Sequence, residues 1–176
     1  WKAGNVARRH GKASLQAEKT IRDSGEKASG LFGEEAWCSM HGSRYSELFL
    51  KQARIEREML GLHSKCELWR AREEMGTESW NIEKFLAKMD VIQKARSSRE
   101  SVSSTILNDR IASWSAFKMY EHRPEYDIVG RALDDIVLLE NETGMYGTLD
   151  AILHNKCWTE DRKRLRDLLK RAEELR

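Results

Sequence analysis

Each of the three cysteines in this 176-residue sequence has a histidine three positions away. The pairs are Cys38 with His41, His63 with Cys66, and His154 with Cys157. Residues three apart lie on one face of a helix, so each pair could offer a thiolate and an imidazole from one turn. Two pairs would complete the tetrahedral shell that Zn²⁺ prefers. The spacing therefore raises the hypothesis of a helical zinc site, and it indicates no other cofactor.

The chain between the first two pairs limits this hypothesis. A helix over at least residues 43–60 would hold its ends roughly 25 Å apart, at 1.5 Å per residue. An intrachain site would therefore have to combine His154 and Cys157 with one of the other pairs. Cys66 also continues an apolar stripe, where a free cysteine behaves as a small core residue. We favour the interpretation that the cysteines are buried beside unrelated histidines.

Sequence patterns of common enzyme classes are absent. The sequence has no glycine-rich phosphate loop, Gly-x-Ser-x-Gly, His-Glu-x-x-His or Cys-x-x-Cys. No histidine follows a glutamate by three positions, as di-iron helical bundles require. The acidic neighbours Asp134 and Asp135 are expected on a solvated helix face. We predict a protein that is not an enzyme.

Both ends of the chain are basic and could contact phosphates. The N-terminal candidates are Lys2, Arg8, Arg9 and Lys12, and those of the last predicted helix are Arg162, Arg164 and Arg166. The net charge of +2 is small, but a local basic arm can neutralise phosphates independently of the rest. The last helix interleaves acids with its bases, as salt-bridged surface helices do. Binding of RNA or DNA, with the arm as the better candidate, is therefore the alternative function.

Six tryptophans are many for this length. Large aromatic side chains concentrate in cores and at the hot spots of protein interfaces. Trp1 and Trp37 lie outside the predicted bundle helices, whereas most of the others are expected in the core. These two are the candidate anchors into another protein subunit.

The elements that must position these residues are helices. A charged fraction of 34%, an apolar fraction of 40% and a single proline are typical of long amphipathic helices. We predict an all-α protein: an irregular helical bundle of about five helices over residues 34–176, with an extended basic arm over residues 1–33. The arm holds five glycines and few large apolar residues, so we expect it to become ordered only against a partner.

One long helix dominates the predicted bundle. Its heptad stripe consists of Leu48, Gln52, Ile55, Met59, Leu62, Cys66 and Trp69. The stripe predicts a helix of about 30 residues that begins near Ser43, bends at Gly61 and ends at Gly76 as its C′ residue. It could face the core or a second chain.

Further helices are predicted over residues 78–96, 105–121, 125–141 and 148–154, and a last helix begins with Thr159 as its cap. Apolar residues that share one face define the second of the bundle helices: Ile82, Phe85, Leu86, Met89 and Ile92. Gly144 is expected to end the fourth helix. Serines between Ser97 and Ser104 indicate an interhelical hinge whose side chains cap the next helix, in preference to a phosphorylation site.

The sequence also bears on location. No apolar run approaches the roughly 18 to 20 residues of a membrane span, so we expect no membrane insertion. An odd number of cysteines argues against a disulfide framework and favours an intracellular, reducing compartment. The acid-free, basic first 17 residues are compatible with an organellar targeting remnant, so the mitochondrial matrix is considered beside the cytoplasm.

A short part of the chain resembles a known family. Residues Thr20 to Gly25, Gly30 to Glu35, and Arg44 with Tyr45 before the heptad stripe are similar to the mitochondrial ATP synthase inhibitor proteins. Those proteins place a glycine-rich segment before one long helix. The alignment needs gaps and leaves the C-terminal part of the chain unexplained.

Taken together, these features predict a non-enzymatic helical subunit of a larger assembly. An organellar ribonucleoprotein or a membrane-enzyme complex would suit the basic arm, and other protein subunits are the expected partners. RNA is the alternative partner, and a zinc-stabilised helical domain is the third interpretation.

Overall fold

The computed structural model describes Thr20 and residues 39–63, 65–66, 72, 76–98, 101–116, 127–154 and 157–176. The predicted arm, apart from Thr20, lies outside these residues. The described chain is all-α and contains no strand, as predicted. Its six helices are α1 (Gly42–Met59), α2 (Trp80–Ser97), α3 (Val102–Ala116), α4 (Ile128–Thr143), α5 (Thr148–His154) and α6 (Trp158–Glu174).

Helices α2, α4, α5 and α6 surround the main hydrophobic core. Every apolar residue predicted for the inner face of α2 is buried there. Opposing residues come mainly from α4 and α6: Ala132, Ile136, Leu139, Leu165, Leu168, Leu169 and Ala172. Burying a leucine or isoleucine side chain contributes about 1.5–3 kcal/mol, so this cluster is the main source of stability. The apolar periodicity thus identified these helices correctly.

Helix α1 is shorter than the sequence predicts, and the prediction of one 30-residue helix is wrong. The helix ends at Met59, and Gly61 adopts the left-handed conformation with φ +65°. The Leu62 amide donates to the Arg57 carbonyl at 2.8 Å, which closes a Schellman-type C-terminal motif. Leu62 is 37% exposed, so the heptad stripe stops being a buried face at this glycine.

Gly76 adopts the backbone conformation that the sequence predicts for it. Its φ is +57°, and the Thr77 amide donates to the carbonyl of Arg72 at 3.1 Å. A residue without a Cβ adopts this left-handed conformation at little cost. Gly76 therefore has the left-handed conformation expected of a C′ glycine, whereas residues 73–75 before it lie outside the described residues.

The serine-rich connection between α2 and α3 is the predicted hinge. The Ser101 hydroxyl accepts from the Ser104 amide at 3.1 Å and so caps the first turn of α3. The Ser104 hydroxyl donates to the carbonyl of Arg96 at 3.0 Å, which ties the two helices together. Residues 117–126, where the predicted third helix would continue, lie outside the described residues.

The connection from α4 to α5 depends on one buried carboxylate. Gly144 ends α4 with φ +72°, as predicted. Glu140, in the last turn of α4, is buried, and its Oε1 accepts from the amides of Thr148 at 2.6 Å and Leu149 at 3.0 Å. A negative charge placed on the free amides of a helix N-terminus is favourable. Glu140 therefore fixes where α5 begins.

Helix α6 begins earlier in the chain than expected. Cys157 occupies the N-cap position, so the prediction that Thr159 is the cap is wrong. Glu160 and Asp161 lie in the first turn, where acidic side chains complement the helix dipole. Leu175 follows the last helical residue and is half exposed, although the apolar pattern placed it on the buried face.

We expect Glu140→Ala to lower the free energy of unfolding by about 1–3 kcal/mol, because two amides at the start of α5 lose a buried acceptor. Urea denaturation followed by circular dichroism measures the change. The exposed neighbour Asn141→Ala is the matched control. Equal stability of the two variants would contradict the capping role of Glu140.

Candidate interaction surface

Helix α3 carries apolar side chains on two separate faces. On its inner face Leu107, Ile111 and Trp114 are half-buried, and the helix packs against α2 and α4. The indole Nε1 of Trp114 donates to Asp134 at 2.7 Å. On the other face Val102 is 76% exposed and Ile106 is 53% exposed. A surface helix normally turns polar residues to water, so this second apolar face needs an explanation.

The outer face of α3 comprises Val102, Ile106, Asp109, Arg110 and Ser113, all of them exposed. With 3.6 residues per turn these positions fall within an arc of about 100°. The apolar Val102 and Ile106 form a central ridge that the small Ser113 continues. Asp109 lies on one side of the ridge, and Arg110 lies on the other. The outer face of α3 is thus a narrow ridge, apolar over its first turns, between one acid and one base.

Arg96 holds α3 in place from the inner side. Its guanidinium donates to the carbonyls of Ile152 at 3.0 Å and Leu153 at 2.7 Å, at the end of α5. The same group contacts Asn108 of α3 at 3.4 Å. Because a helix C-terminus has free carbonyls, a cation there is favourable. The outer face of α3 is therefore presented by a helix that is fastened to the bundle at the hinge.

Other exposed apolar side chains are scattered over different elements. They include Leu50 on α1, Val91 on α2, Tyr146 in the α4–α5 turn and Leu175 after α6. Single exposed apolar residues are common on protein surfaces. Met145 is also exposed beside Tyr146 in the α4–α5 turn, but among the described helices α3 is the one with two exposed large apolar side chains one turn apart.

Two of the three basic residues proposed for α6 have acidic partners within the protein. Arg162 Nε lies 2.9 Å from Asp90, whose hydrogen bond raises the pKa of the guanidinium. Arg166 Nε lies 3.5 Å from Glu78. Arg164 is exposed, and its one contact among the described residues is a long one to the Gly147 carbonyl at 3.5 Å. A phosphate on α6 would have to compete with these carboxylates.

The remaining candidates for phosphate contact, Lys2, Arg8, Arg9 and Lys12, lie outside the described residues, as do the candidate anchors Trp1 and Trp37. Among the other tryptophans, Trp80 is buried. Trp158 is half-buried and donates to Asp90 at 2.8 Å. These indoles support the expectation that tryptophans contribute to the core.

The described members of each cysteine–histidine pair do not lie within one helix. His63 and Cys66 lie in the turn that follows α1, so they do not share a helix face. His154 ends α5, and Cys157 lies before α6, so the same prediction is wrong for this pair. Helix α1 ends at Met59, before both His63 and Cys66, and α5 ends at His154, before Cys157.

His41 lies at the other end of α1, an 18-residue helix about 27 Å long, and is 3.5 Å from Glu142. Among the described residues no three His, Cys, Asp or Glu side chains are placed to hold a metal ion. Cys38 lies outside the described residues.

A buried glutamine joins α1 to the start of α2. Gln52 is fully buried, and its Oε1 accepts from the Trp80 amide at 2.7 Å and from Arg72 at 3.1 Å. Its Nε2 donates to Glu56 at 2.7 Å and to the Glu78 carbonyl at 3.0 Å. A glutamine amide has two acceptor and two donor positions, and all four are used here. The sequence signal for this role was a polar residue at one position of an apolar stripe. It was overlooked because Gln52 fitted the heptad spacing of that stripe.

Arg72 extends this network to α6. Its guanidinium donates to Glu173 at 3.1 Å and lies 5.0 Å from the centre of the Phe49 ring. Ser79 also donates to Glu173. A cleft of about 860 Å³ lies beside these residues. Because the carboxylates already accept protein donors, a bound cation would displace Arg72, and we interpret the network as structural.

A second buried carboxylate fixes the segment before α1. Asp135 is buried and accepts from the Ser39 hydroxyl at 3.0 Å and from the Met40 amide at 3.2 Å. The expectation that this residue lies on a solvated face is therefore wrong. Arg176 donates to the Met40 carbonyl at 2.7 Å and to Glu142 at 2.8 Å.

Burial raises the pKa of Asp135 above its usual value of 3.8. The Met40 amide, the charge of His41, the Ser39 hydroxyl and the charge of Lys88 oppose the shift. The folded protein therefore binds this proton more tightly than the unfolded chain does.

Comparison of the chain with protein-family models, with curated proteins and with solved structures finds no match. The resemblance to the ATP synthase inhibitor proteins gains no support from these comparisons. The structure also lacks the long helix that follows the glycine-rich segment in those proteins, because α1 ends at Met59. Among the described helices, none combines the length and the apolar character that crossing a bilayer demands.

We expect Gln52→Leu to lower the free energy of unfolding by about 2–4 kcal/mol, because the Trp80 amide and two charged side chains lose buried partners. Chemical denaturation measures the loss. Glu47→Ala, at an exposed position of the same helix, is the control. A Gln52→Leu variant that is as stable as this control would show that the network contributes little.

Asp135→Asn tests the buried carboxyl through pH. With its pKa raised in the folded state, Asp135 stabilises the fold most below about pH 3.8, and this contribution is lost as the pH rises through the folded-state pKa. We therefore expect the unfolding free energy of the variant, relative to the parent protein, to increase from about pH 3 to about pH 7. Asp167→Asn is the exposed control for the loss of one carboxylate. A relative stability that falls over this range would contradict the assigned direction.

Proposed function

We propose that this protein is a non-enzymatic helical subunit that docks onto other protein subunits of a larger assembly through the outer face of α3. The observation that carries the proposal is the second apolar face of this helix. Val102 and Ile106 face water in the isolated chain. Full burial of such a side chain contributes about 1.5–3 kcal/mol, so a partner that covers both gains a substantial part of its binding energy there.

The proposed partner is a protein and not a nucleic acid. Asp109 and Arg110 flank the ridge and balance each other, so the outer face of α3 offers no net positive field for phosphates. On α6, Arg162 and Arg166 are close to carboxylates of the protein itself. The N-terminal arm with Trp1 and Trp37 is proposed as an additional contact, on the sequence argument alone.

The rigid attachment of α3 supports the same proposal. Its hinge is capped by Ser101, and Arg96 fastens the adjoining turn of α2 to the end of α5. A pre-ordered surface loses less conformational entropy on binding than a segment that must first fold. The outer face of α3 is thus suited to docking in a single orientation.

Sedimentation of the tagged protein from a gentle lysate of its own cells, with and without RNase, tests this function. We expect it to migrate in a heavy particle and Ile106→Glu to move to light fractions, because a buried charge would oppose docking. Leu50→Glu, at an exposed apolar position on α1, is the control and should remain heavy.

A protein that stays light and alone under all conditions would contradict the proposal. So would an Ile106→Glu variant that migrates like the parent. Loss of the heavy position after RNase would identify the assembly as a ribonucleoprotein, one of the two kinds of assembly considered from the sequence. A heavy position that is retained after RNase treatment would favour a complex made of proteins alone.

A further inference from the structure

We propose that the charge pattern of α3 pairs this helix in parallel with α3 of a second copy of the chain, about a two-fold axis that runs along the two helices. The inference rests on the proposed function, since it names a partner for the docking surface described there. A symmetric interface uses the same patch on both copies, so the patch must be complementary to itself. The outer face of α3 meets this condition in the parallel orientation.

Charged residues are scarce on α3. Over the whole chain 34% of the residues are charged, yet Asp109 and Arg110 are the only two among the 15 residues of this helix. Its other exposed residues are apolar, small or uncharged: Val102, Ser103, Thr105, Ile106, Asn108, Ala112 and Ser113. Depletion of charge around an apolar centre is typical of the core of a protein interface. One acid and one base therefore set the ionic character of this face.

The direction of the two-fold axis decides which charges meet. An axis along the helices makes them parallel and exchanges the two flanks of the ridge. Asp109 of each copy then lies on the same flank as Arg110 of the other, with a height difference of about 1.5 Å, and the ion pair forms twice. An axis across the helices at this level makes them antiparallel and keeps each flank on its own side, so Asp109 would meet Asp109 and Arg110 would meet Arg110. Charge therefore selects the parallel pair.

The apolar ridge is in register in the same orientation. A two-fold axis along the helices places each residue at the height of its own copy, so Ile106 lies against Ile106 and Val102 against Val102. All four exposed apolar side chains then cover one another. Ser113 follows Ile106 by seven positions and stands in line with it to within about 20°. Two small serines at this level let the helices approach to the usual packing distance of about 8–10 Å.

Asp109 and Arg110 are both available for a contact between copies. Neither side chain makes an ion pair or a hydrogen bond within the chain. Charged side chains pair along a helix at spacings of three or four, and α3 has no charged residue at those spacings from either of them. The two are adjacent in sequence and about 100° apart around the helix, so they do not face each other.

The expected self-association is weak. A contact made by one helix is smaller than a standard protein interface, and such interfaces are typically transient. We expect a dissociation constant on the order of 10–100 µM, which is compatible with a pairing that is reinforced inside a larger assembly. A concentration series has to reach several hundred micromolar.

Charge exchange tests the ion pairs. Sedimentation velocity of the full chain is measured for the parent, for Asp109→Arg, for Arg110→Asp and for the variant with both substitutions. Each single change places like charges on the same flank twice, so we expect dimerisation to weaken about tenfold or more. The double change restores both pairs and should return the dissociation constant to within about threefold of the parent.

Disulfide formation tests the orientation. With Cα atoms about 2.3 Å from each helix axis, a parallel pair brings the two Ser113 Cα atoms to roughly 4–5 Å, within reach of a disulfide. In an antiparallel pair centred on Asp109 and Arg110 they would be roughly 10 Å apart along the axis, too far for this bond. We expect Ser113→Cys to form a symmetric disulfide in oxidised glutathione, identified by mass spectrometry of the linked peptide. Ala112→Cys, exposed on the same turn but away from the ridge, is the control and should not link.

Three outcomes would overturn the inference. They are a parent chain that is monomeric throughout the series, a dimer that none of the charge variants alters, and a Ser113→Cys variant that links no faster than Ala112→Cys. Because all four substituted positions are exposed, far-UV circular dichroism should be unchanged in every variant. A change in dimerisation is then attributable to the interface.

Failure of this inference is distinguishable from failure of the proposed function. If the purified chain is monomeric but Ile106→Glu still removes it from a heavy particle, the docking role stands and the partner is a different protein. If the dimer forms and responds to charge exchange but the chain remains light in the lysate, the self-pairing stands and the larger assembly fails.

Discussion

The fold depends on satisfying the backbone groups that helices leave unpaired at their ends. Each helix terminus has amides or carbonyls with no partner inside the helix, and burying them unsatisfied is costly. Here, side chains from other helices supply the partners. Gln52 accepts from the first amide of α2 and Glu140 from the first amides of α5, while Asp135 holds the segment before α1 through the amide of Met40. The core gives stability, and these contacts determine how the helices are arranged.

This arrangement explains why α3 can expose apolar residues without loosening the bundle. Its inner face and its hinge provide the attachment, through Trp114 and Ser101. The outer face is therefore not needed to hold the helix in place. Side chains such as Val102 and Ile106 are therefore available for a contact with another molecule. A division of labour between the two faces of one helix is a common basis for interaction surfaces.

Apolar periodicity was sufficient to predict α2, α4 and α6, because their buried residues recur with the helical repeat. It failed at Gly61, since the stripe continues through this residue although the backbone turns left-handed there, as it does at Gly76. The partners of Asp135 lie about 95 positions away in sequence, and no local pattern could reveal them. The outer face of α3 did not stand out in the sequence, because Val102 and Ile106 are spaced as core residues of a helix also are.

Helix α5 has only seven residues, too few to be stable alone, and it is clamped at both ends. Glu140 binds its first amides, and Arg96 binds the carbonyls of Ile152 and Leu153. One inserted residue would turn the following carbonyls by about 100° and shift them by about 1.5 Å, so both clamps could not be kept. The chain length of this segment is therefore fixed by its two clamps, so a substitution at one of its exposed positions should be tolerated far better than an insertion or a deletion.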